Sequence, residues 1–159
     1  MARSSASGRP QAERVIAENR KARHDYELLE TVVAGLVLLG TEVKSLRGGK
    51  GNVAEAWVRF VDDEGWLMDA HIPPYPQAHQ FNHEPRRPRK LLLKARELER
   101  LRKRTAERGL TTVPLKLFFS GPWVKVELGL GKGRKLHDKR QALKEKQDRR
   151  DMDRARGRR

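Results

Sequence analysis

The final stretch of the chain cannot build a core of its own. Beyond Gly131, thirteen basic residues face five acidic ones, and the only sizeable apolar side chains are Leu136, Leu143 and Met152. Burial on that scale cannot offset the entropy of ordering the segment, so residues 131–159 are expected to form a basic tail that is disordered when free and orders on a partner. Residues 1–10, which carry Ser, Gly and Arg, read as a disordered start. Residues 11–130 must therefore supply the single core of this 159-residue chain.

Within that unit the dominant signal is alternation. Ala54, Ala56, Val58 and Phe60 alternate with Glu55, Trp57, Arg59 and Val61, Asp62-Asp63-Glu64-Gly65 makes a turn, and Trp66 to Ile72 returns as a hairpin partner. Val113, Leu115, Leu117 and Phe119 alternate before a Ser120-Gly121-Pro122 turn, and Val124, Val126 and Leu128 alternate after it. Tyr26 to Leu39 reads as a long strand kinked at Gly35. Helix formers in Gln11 to Lys21 predict a first helix, and Thr41 predicts the cap of a short helix through Leu46, stopped at Gly48–Gly49. Five prolines between Pro73 and Pro88 hold that segment open. Arg89 to Arg108 is expected to be the longest helix, with Leu91, Ala95, Leu98 and Leu101 as its apolar stripe and Gly109 at its end. Leu93 falls off that stripe and is expected under the proline-rich loop or on a contact surface. The resulting fold class is mainly β with flanking helices: an antiparallel barrel resembling the oligonucleotide-binding (OB) type, followed by the basic tail.

Charge indicates the class of partner. A formal net charge of +15 exceeds what solubility needs, and phosphate is its natural counterpart. Nucleic acid is favoured over an anionic membrane surface, because the longest apolar run, Val32 to Leu39, is interrupted by Gly35 and is too short to span a bilayer. The chain contains no cysteine, which excludes disulfides and thiolate metal sites. Residues Met1 to Pro10 hold no apolar stretch of the secretory kind, so a cytoplasmic address is expected.

Several clusters have both a functional and a plain reading. Arg86-Arg87-Pro88-Arg89-Lys90, leading into Lys94, Arg96, Arg100, Arg102, Lys103 and Arg104, is expected to track phosphates; the alternative is a solvated helix laced to Glu97, Glu99 and Glu107. The run Gly129 to Lys135 is either a backbone nest for phosphate or a flexible hinge, and Gly35 to Gly40 lacks the lysine of a nucleotide loop. His71, His79 and His83 share no helical face and lack an acidic ligand at matching spacing, so no metal or other cofactor is expected. Trp57, Trp66, Tyr75 and Trp123 either stack on bases or close the barrel, and core packing is the better reading for most. No nucleophile–base pair or carboxylate dyad is recoverable, so the chain is not expected to be an enzyme.

The order of several short motifs carries more. Asn19-Arg20-Lys21-Ala22-Arg23-His24-Asp25-Tyr26 and Gly40-Thr41-Glu42-Val43-Lys44-Ser45-Leu46-Arg47 resemble two signatures of the SsrA-binding protein family. Similar matches continue through Asn82-His83, Arg89-Lys90-Leu91-Leu92-Leu93, Lys125-Val126-Glu127-Leu128-Gly129 and His137-Asp138-Lys139-Arg140. The resemblance runs in order over roughly residues 15–140.

That resemblance implies a barrel that clamps the tRNA-like domain of tmRNA, one protein per RNA, and escorts it to stalled ribosomes. It implies a tmRNA surface including Asn19, Arg20, Lys21, Leu92, Lys94 and Lys125. It also implies that the tail enters the empty mRNA channel and the small-subunit decoding centre, with Lys132, Gly133, Arg134, Lys135, His137, Asp138, Lys139 and Arg140 making the contacts. His137 is suited to stack on a nucleobase there, or serves as a spacer in a charged tail. Two positions depart from the family pattern. Val33 stands where a Glu is usual, and Lys94 where Asn or His is common. The Glu's role is not carried onto Val33, whereas Lys94 can still contact phosphate. The rivals are a structural rRNA-binding ribosomal protein and an RNA-processing enzyme using His24 or His137.

Overall fold

Strand pairing organises nearly everything between Glu13 and Gly133 in the computed structural model, which describes residues 13–134 and 136–157. Among the described residues, seven strands form one antiparallel sheet in the order β1-β6-β7-β2-β5-β4-β3. They are β1 (Glu13–Glu18), β2 (Tyr26–Leu36), β3 (Trp57–Val61), β4 (Glu64–Met68), β5 (Arg89–Leu92), β6 (Leu110–Ser120) and β7 (Trp123–Gly133). β3 also packs against β6, which curls the sheet into most of a barrel. Leu46, Val53, Leu67, Ile72, Leu101, Val126 and Leu128 are among the side chains filling it. The expected disordered start, residues 1–10, lies outside the described residues.

Among the described residues, four α-helices flank the sheet: α1 (Arg20–Asp25), α2 (Gly40–Arg47), α3 (Ala95–Ala106) and α4 (Leu136–Arg156). The expected hairpins are present, the first with tighter bounds and the second with longer strands. Asp62 and Asp63 both take positive φ, 47° and 61°, as a two-residue hairpin turn requires, and Glu64 already pairs with Val61. The returning strand stops at Met68, because Asp69 turns at φ 56°. Ala54 and Ala56 precede the strand rather than belong to it.

Three expectations fail for one reason: a distant partner outweighs local periodicity. The segment 11–21 is not a first helix. Of its described part, 13–21, Glu13–Glu18 pairs with β6 because Val15 and Ile16 suit a strand and a helix this short gains little alone, and only Arg20 and Lys21 are helical, in α1. The long helix from Arg89 is divided, since Arg89–Leu92 pairs with β2 and β4, and α3 begins only at Ala95. Leu93 consequently lies between β5 and α3 and packs, partly buried, on the main core. Leu39, not Thr41, caps α2: the Glu42 carboxylate accepts the Leu39 N–H at 2.8 Å, while the Thr41 hydroxyl pairs with His83 Nδ1 at 2.9 Å.

The proline-rich segment is more regular than expected. It contains a 3-10 turn, Pro76–Phe81, closed by Asn82, whose side chain bonds the Tyr75 N–H and C=O at 2.8 and 2.9 Å. The aromatic residues expected in the core are outside it. Val58, Leu67 and Val124 take the inward positions, so Trp57 and Trp123 are exposed and Trp66 and Tyr75 are half-buried.

Candidate nucleic-acid interface

α1 is held by a residue expected to touch RNA. Asn19 is buried, and its side-chain oxygen caps α1 by accepting the Ala22 N–H at 3.1 Å. Its amide donates to the Pro114 and Val53 carbonyls at 3.0 and 3.3 Å, and its backbone N–H to Leu115 at 2.7 Å. The Asn19 side chain is thus committed to bonds within the protein that hold the start of α1. Ala22 then seats α1 on a small second core of Val113 and Leu115, with Tyr26 and Leu28. That seating leaves Arg20 and Lys21 exposed on the outer side.

The sheet brings two more of the expected residues into line. Gly35 pairs with Leu92 on one side and with Lys125 on the other, so one row runs β5–β2–β7 across the outer face. A Cβ on Gly35 would meet Leu92 Cβ at 3.2 Å, so glycine lets the Leu92 side chain lie close over the β2 backbone. Leu92 is 53% exposed and Trp123, two residues from Lys125 on the same side of β7, is 69% exposed. With Leu38 and Val43 they border a shallow apolar cleft. Trp123 is the member that sequence reading left undecided; its position beside the hairpin turn, two residues from a lysine, was the available signal. Val33, on β2 opposite Glu127, is also exposed and adds an apolar rather than an acidic surface to this face.

Ion pairing separates structural from available cations. Arg89 is wholly buried, with Nε on Glu42, Nη1 on the Ala70 carbonyl at 2.6 Å and Nη2 on Pro85 at 3.0 Å. Arg87 also binds Glu42. Burial pushes the Glu42 carboxyl up, but the bonds from Arg87, the Leu39 N–H and Arg89 outweigh it and hold it below its ordinary range. Arg86 pairs with Glu55, Lys90 with Glu64, Arg100 with Glu30, Arg102 with Asp63, Lys103 with Glu99 and Arg104 with Glu107. The expected phosphate-tracking face on this element is thus largely laced to carboxylates, and only Lys94 and Arg96 stay free of ion pairs among the described residues. Lys116 is engaged as well, with Glu13 and Glu127 at 3.2 and 3.5 Å. Burial lowers its pKa, but the two carboxylates outweigh that and raise it.

By contrast, Arg20, Lys21, Lys94, Lys125, Lys132 and Arg134 form no ion pair among the described residues. They lie on α1, at the start of α3, and along β7 and its exit. Lys132 and Gly133 still belong to β7, pairing with Glu27 and Tyr26 of β2. The run Gly129 to Gly133 is neither nest nor hinge but strand, because Gly129 and Gly131 allow Leu28, Leu115 and Tyr26 to pack directly against the backbone.

The profile of the SmpB protein family matches residues 16–158. The chain belongs to that family. An SsrA-binding protein of Microcystis aeruginosa is 53% identical over 143 residues, covering 89% of this chain and 93% of the relative. One from Nostoc sp. is 53% identical over 150 residues, covering 94% and 97%. A solved chain described as "tmRNA-SmpB: a journey to the center of the bacterial ribosome" is 48% identical with a TM-score of 0.63, covering 80% of this chain and 87% of that one.

The SmpB family match extends through α4. Helix-favouring Ala, Leu, Lys, Glu, Gln and Arg make up most of α4, yet every side chain described on it is exposed. Such a helix rests on local propensity, which is marginal in water without a packed face. Arg140 is exposed on it; the side chains of His137, Asp138 and Lys139, and all of Lys135, lie outside what the structure describes. No helix among the described residues is long and apolar enough to cross a membrane. The three histidines considered as ligands have other surroundings: His83 bonds Thr41 and the Ile72 carbonyl, His71 makes a backbone bridge with Asn52, and His79 sits in the 3-10 turn.

Proposed function

We infer that this chain binds tmRNA and delivers it to stalled ribosomes, acting as an RNA-binding factor of trans-translation in the cytoplasm rather than as an enzyme. The observation that carries this reading is a set of cations that form no ion pair among the described residues, including Arg20, Lys21, Lys94, Lys125, Lys132 and Arg134, together with the exposed apolar side chains Leu92 and Trp123 that share a cleft with Lys125. Lysine and arginine supply affinity through phosphate, and the apolar cleft offers a surface for an unstacked base. The names of the relatives, SsrA-binding protein, and of the solved tmRNA–SmpB neighbour support the same RNA.

Arg20, Lys21, Leu92, Lys94 and Lys125 contact tmRNA in this reading, with Asn19 holding α1 in place, as one protein per RNA. Residues from Lys132 through Arg140 and the rest of α4 serve the ribosome, entering the empty mRNA channel and the decoding centre. The free tail is disordered or only transiently helical and becomes ordered on a partner, as its lack of a buried face suggests.

The test is a titration of the full chain, and of residues 1–134, against the tRNA-like domain of tmRNA with excess elongator tRNA as competitor, at two salt concentrations. Both proteins are expected to outcompete tRNA, with affinity falling steeply with salt. Binding no tighter than to tRNA, together with co-sedimentation on ribosomes lacking tmRNA, would instead identify a structural rRNA-binding protein.

A further inference from the structure

A cleft of about 440 Å³ opens between α1 and α4, lined by Arg20, Arg23, His24, Arg134, Leu143 and Lys146. Its wall is contributed by three parts of the chain: α1, the exit of β7 and the C-terminal helix. Arg23 reaches Glu127 only at 3.9 Å, and His24 Nδ1 faces Asp25 at 3.1 Å. The Arg20, Arg134 and Lys146 side chains have no carboxylate partner among the described residues. Among the described residues, Leu143 is the apolar contribution of α4 to this wall, and it is still half exposed.

This arrangement is unfavourable as it stands. Three arginines and a lysine converge, like charges repel, and one half-exposed leucine buries too little to hold a helix in place. An anion in the cleft would reverse the balance. Arginine presents a planar fork that matches phosphate oxygens, and a phosphate shared by α1 and α4 turns mutual repulsion into joint attraction.

We propose that this cleft takes a backbone phosphate of RNA bound on the barrel, and that the phosphate seats α4 against α1. The inference rests on the RNA-binding reading and extends it: the barrel and the tail do not act independently. Because α4 completes the phosphate site, RNA binding favours the docked helix, and the docked helix tightens RNA binding by the same factor. The RNA-loaded protein thus carries an ordered tail before that tail meets another partner.

The absence of cysteine lets a labelled pair be introduced cleanly at Lys103→Cys and Arg150→Cys, both exposed positions outside the cleft. The distance distribution between spin labels there is measured on the full chain alone, with the tRNA-like domain of tmRNA, and with inorganic phosphate. It is expected to be broad alone and to narrow to one population with RNA. Narrowing with inorganic phosphate as well means that any phosphate suffices; narrowing with RNA only assigns the site to a polynucleotide backbone. Lys146→Glu supplies the missing carboxylate, so it should narrow the distribution without any ligand and reduce the salt slope of RNA binding by about one. If RNA binds and the distribution stays broad, or Lys146→Glu leaves the free protein unchanged, the cleft is not a phosphate site while the RNA-binding reading survives. Failure of RNA to bind at all overturns both.

Discussion

Arg89 and Glu42 form an ion pair in which neither side chain is exposed to solvent. Residues 47 positions apart in sequence join β5 to α2, and Arg89 extends the link to the carbonyls of Ala70 and Pro85. β5 carries Leu92, so this pair fixes the strand that presents one end of the candidate interface.

Glu42→Gln is expected to destabilise the fold by about 3–5 kcal/mol, because it leaves the Arg89 guanidinium buried without its counter-charge. The double change Glu42→Leu with Arg89→Met should recover most of that loss, since a well-packed apolar pair avoids desolvating two charges. Urea unfolding of the three proteins decides the matter. A double variant no more stable than Glu42→Gln would show that the pair's geometry, rather than the unpaired charge, is what the fold needs.

The same carboxylate predicts the acid behaviour. Its folded pKa lies below the ordinary 4.5, so the native state holds fewer protons than the unfolded state as pH falls through that range. Its stabilising contribution is complete above about pH 4.5 and is lost as pH drops through the folded value. Midpoints of urea unfolding measured from pH 6 down to pH 3 should fall more steeply for the wild-type chain than for Glu42→Gln. Parallel curves would count against the assignment.

Gly131→Ala tests the close approach beneath α1. An added Cβ would lie 2.8 Å from Tyr26 Cβ and 3.2 Å from its Cγ, too near the main chain of β2 for a rotamer change to relieve. A loss of about 1–3 kcal/mol is expected, read as a lowered Tm. Gly133→Ala, where a Cβ meets nothing within 4 Å, is the control and should be nearly neutral.

Trp123→Ala separates stacking from charge. Trp123 is mostly exposed, so stability should change by less than about 0.5 kcal/mol. RNA affinity should fall by about 1–3 kcal/mol with the salt slope unchanged, as loss of a stacked base requires. Lys125→Ala should weaken binding and lower the slope by about one. An unchanged affinity for Trp123→Ala would remove the aromatic from the interface.

Local pattern was enough for much of the molecule. The alternation of Val113 to Phe119 and Val124 to Leu128 specified β6, β7 and their turn, because strand faces follow a two-residue period that neighbours alone reveal. The surplus of charge and the apolar poverty beyond Gly131 pointed to phosphate and to a tail without its own core. The ordered motifs from Asn19 to Arg140 identified the family before any contact was known. What sequence could not decide was which cations are free. Arg89 and Lys125 look alike in a string of residues; one is buried on Glu42 and the other stands on the sheet's outer face. Likewise Leu91 fits a helical stripe with Leu98 until β2 and β4 claim it for a strand. Asn19 reads as a surface polar residue until Pro114 and Val53 enclose it. In each case the deciding partner lies tens of residues away. Burial and electrostatics depend on distance in space, which periodicity along the chain does not encode.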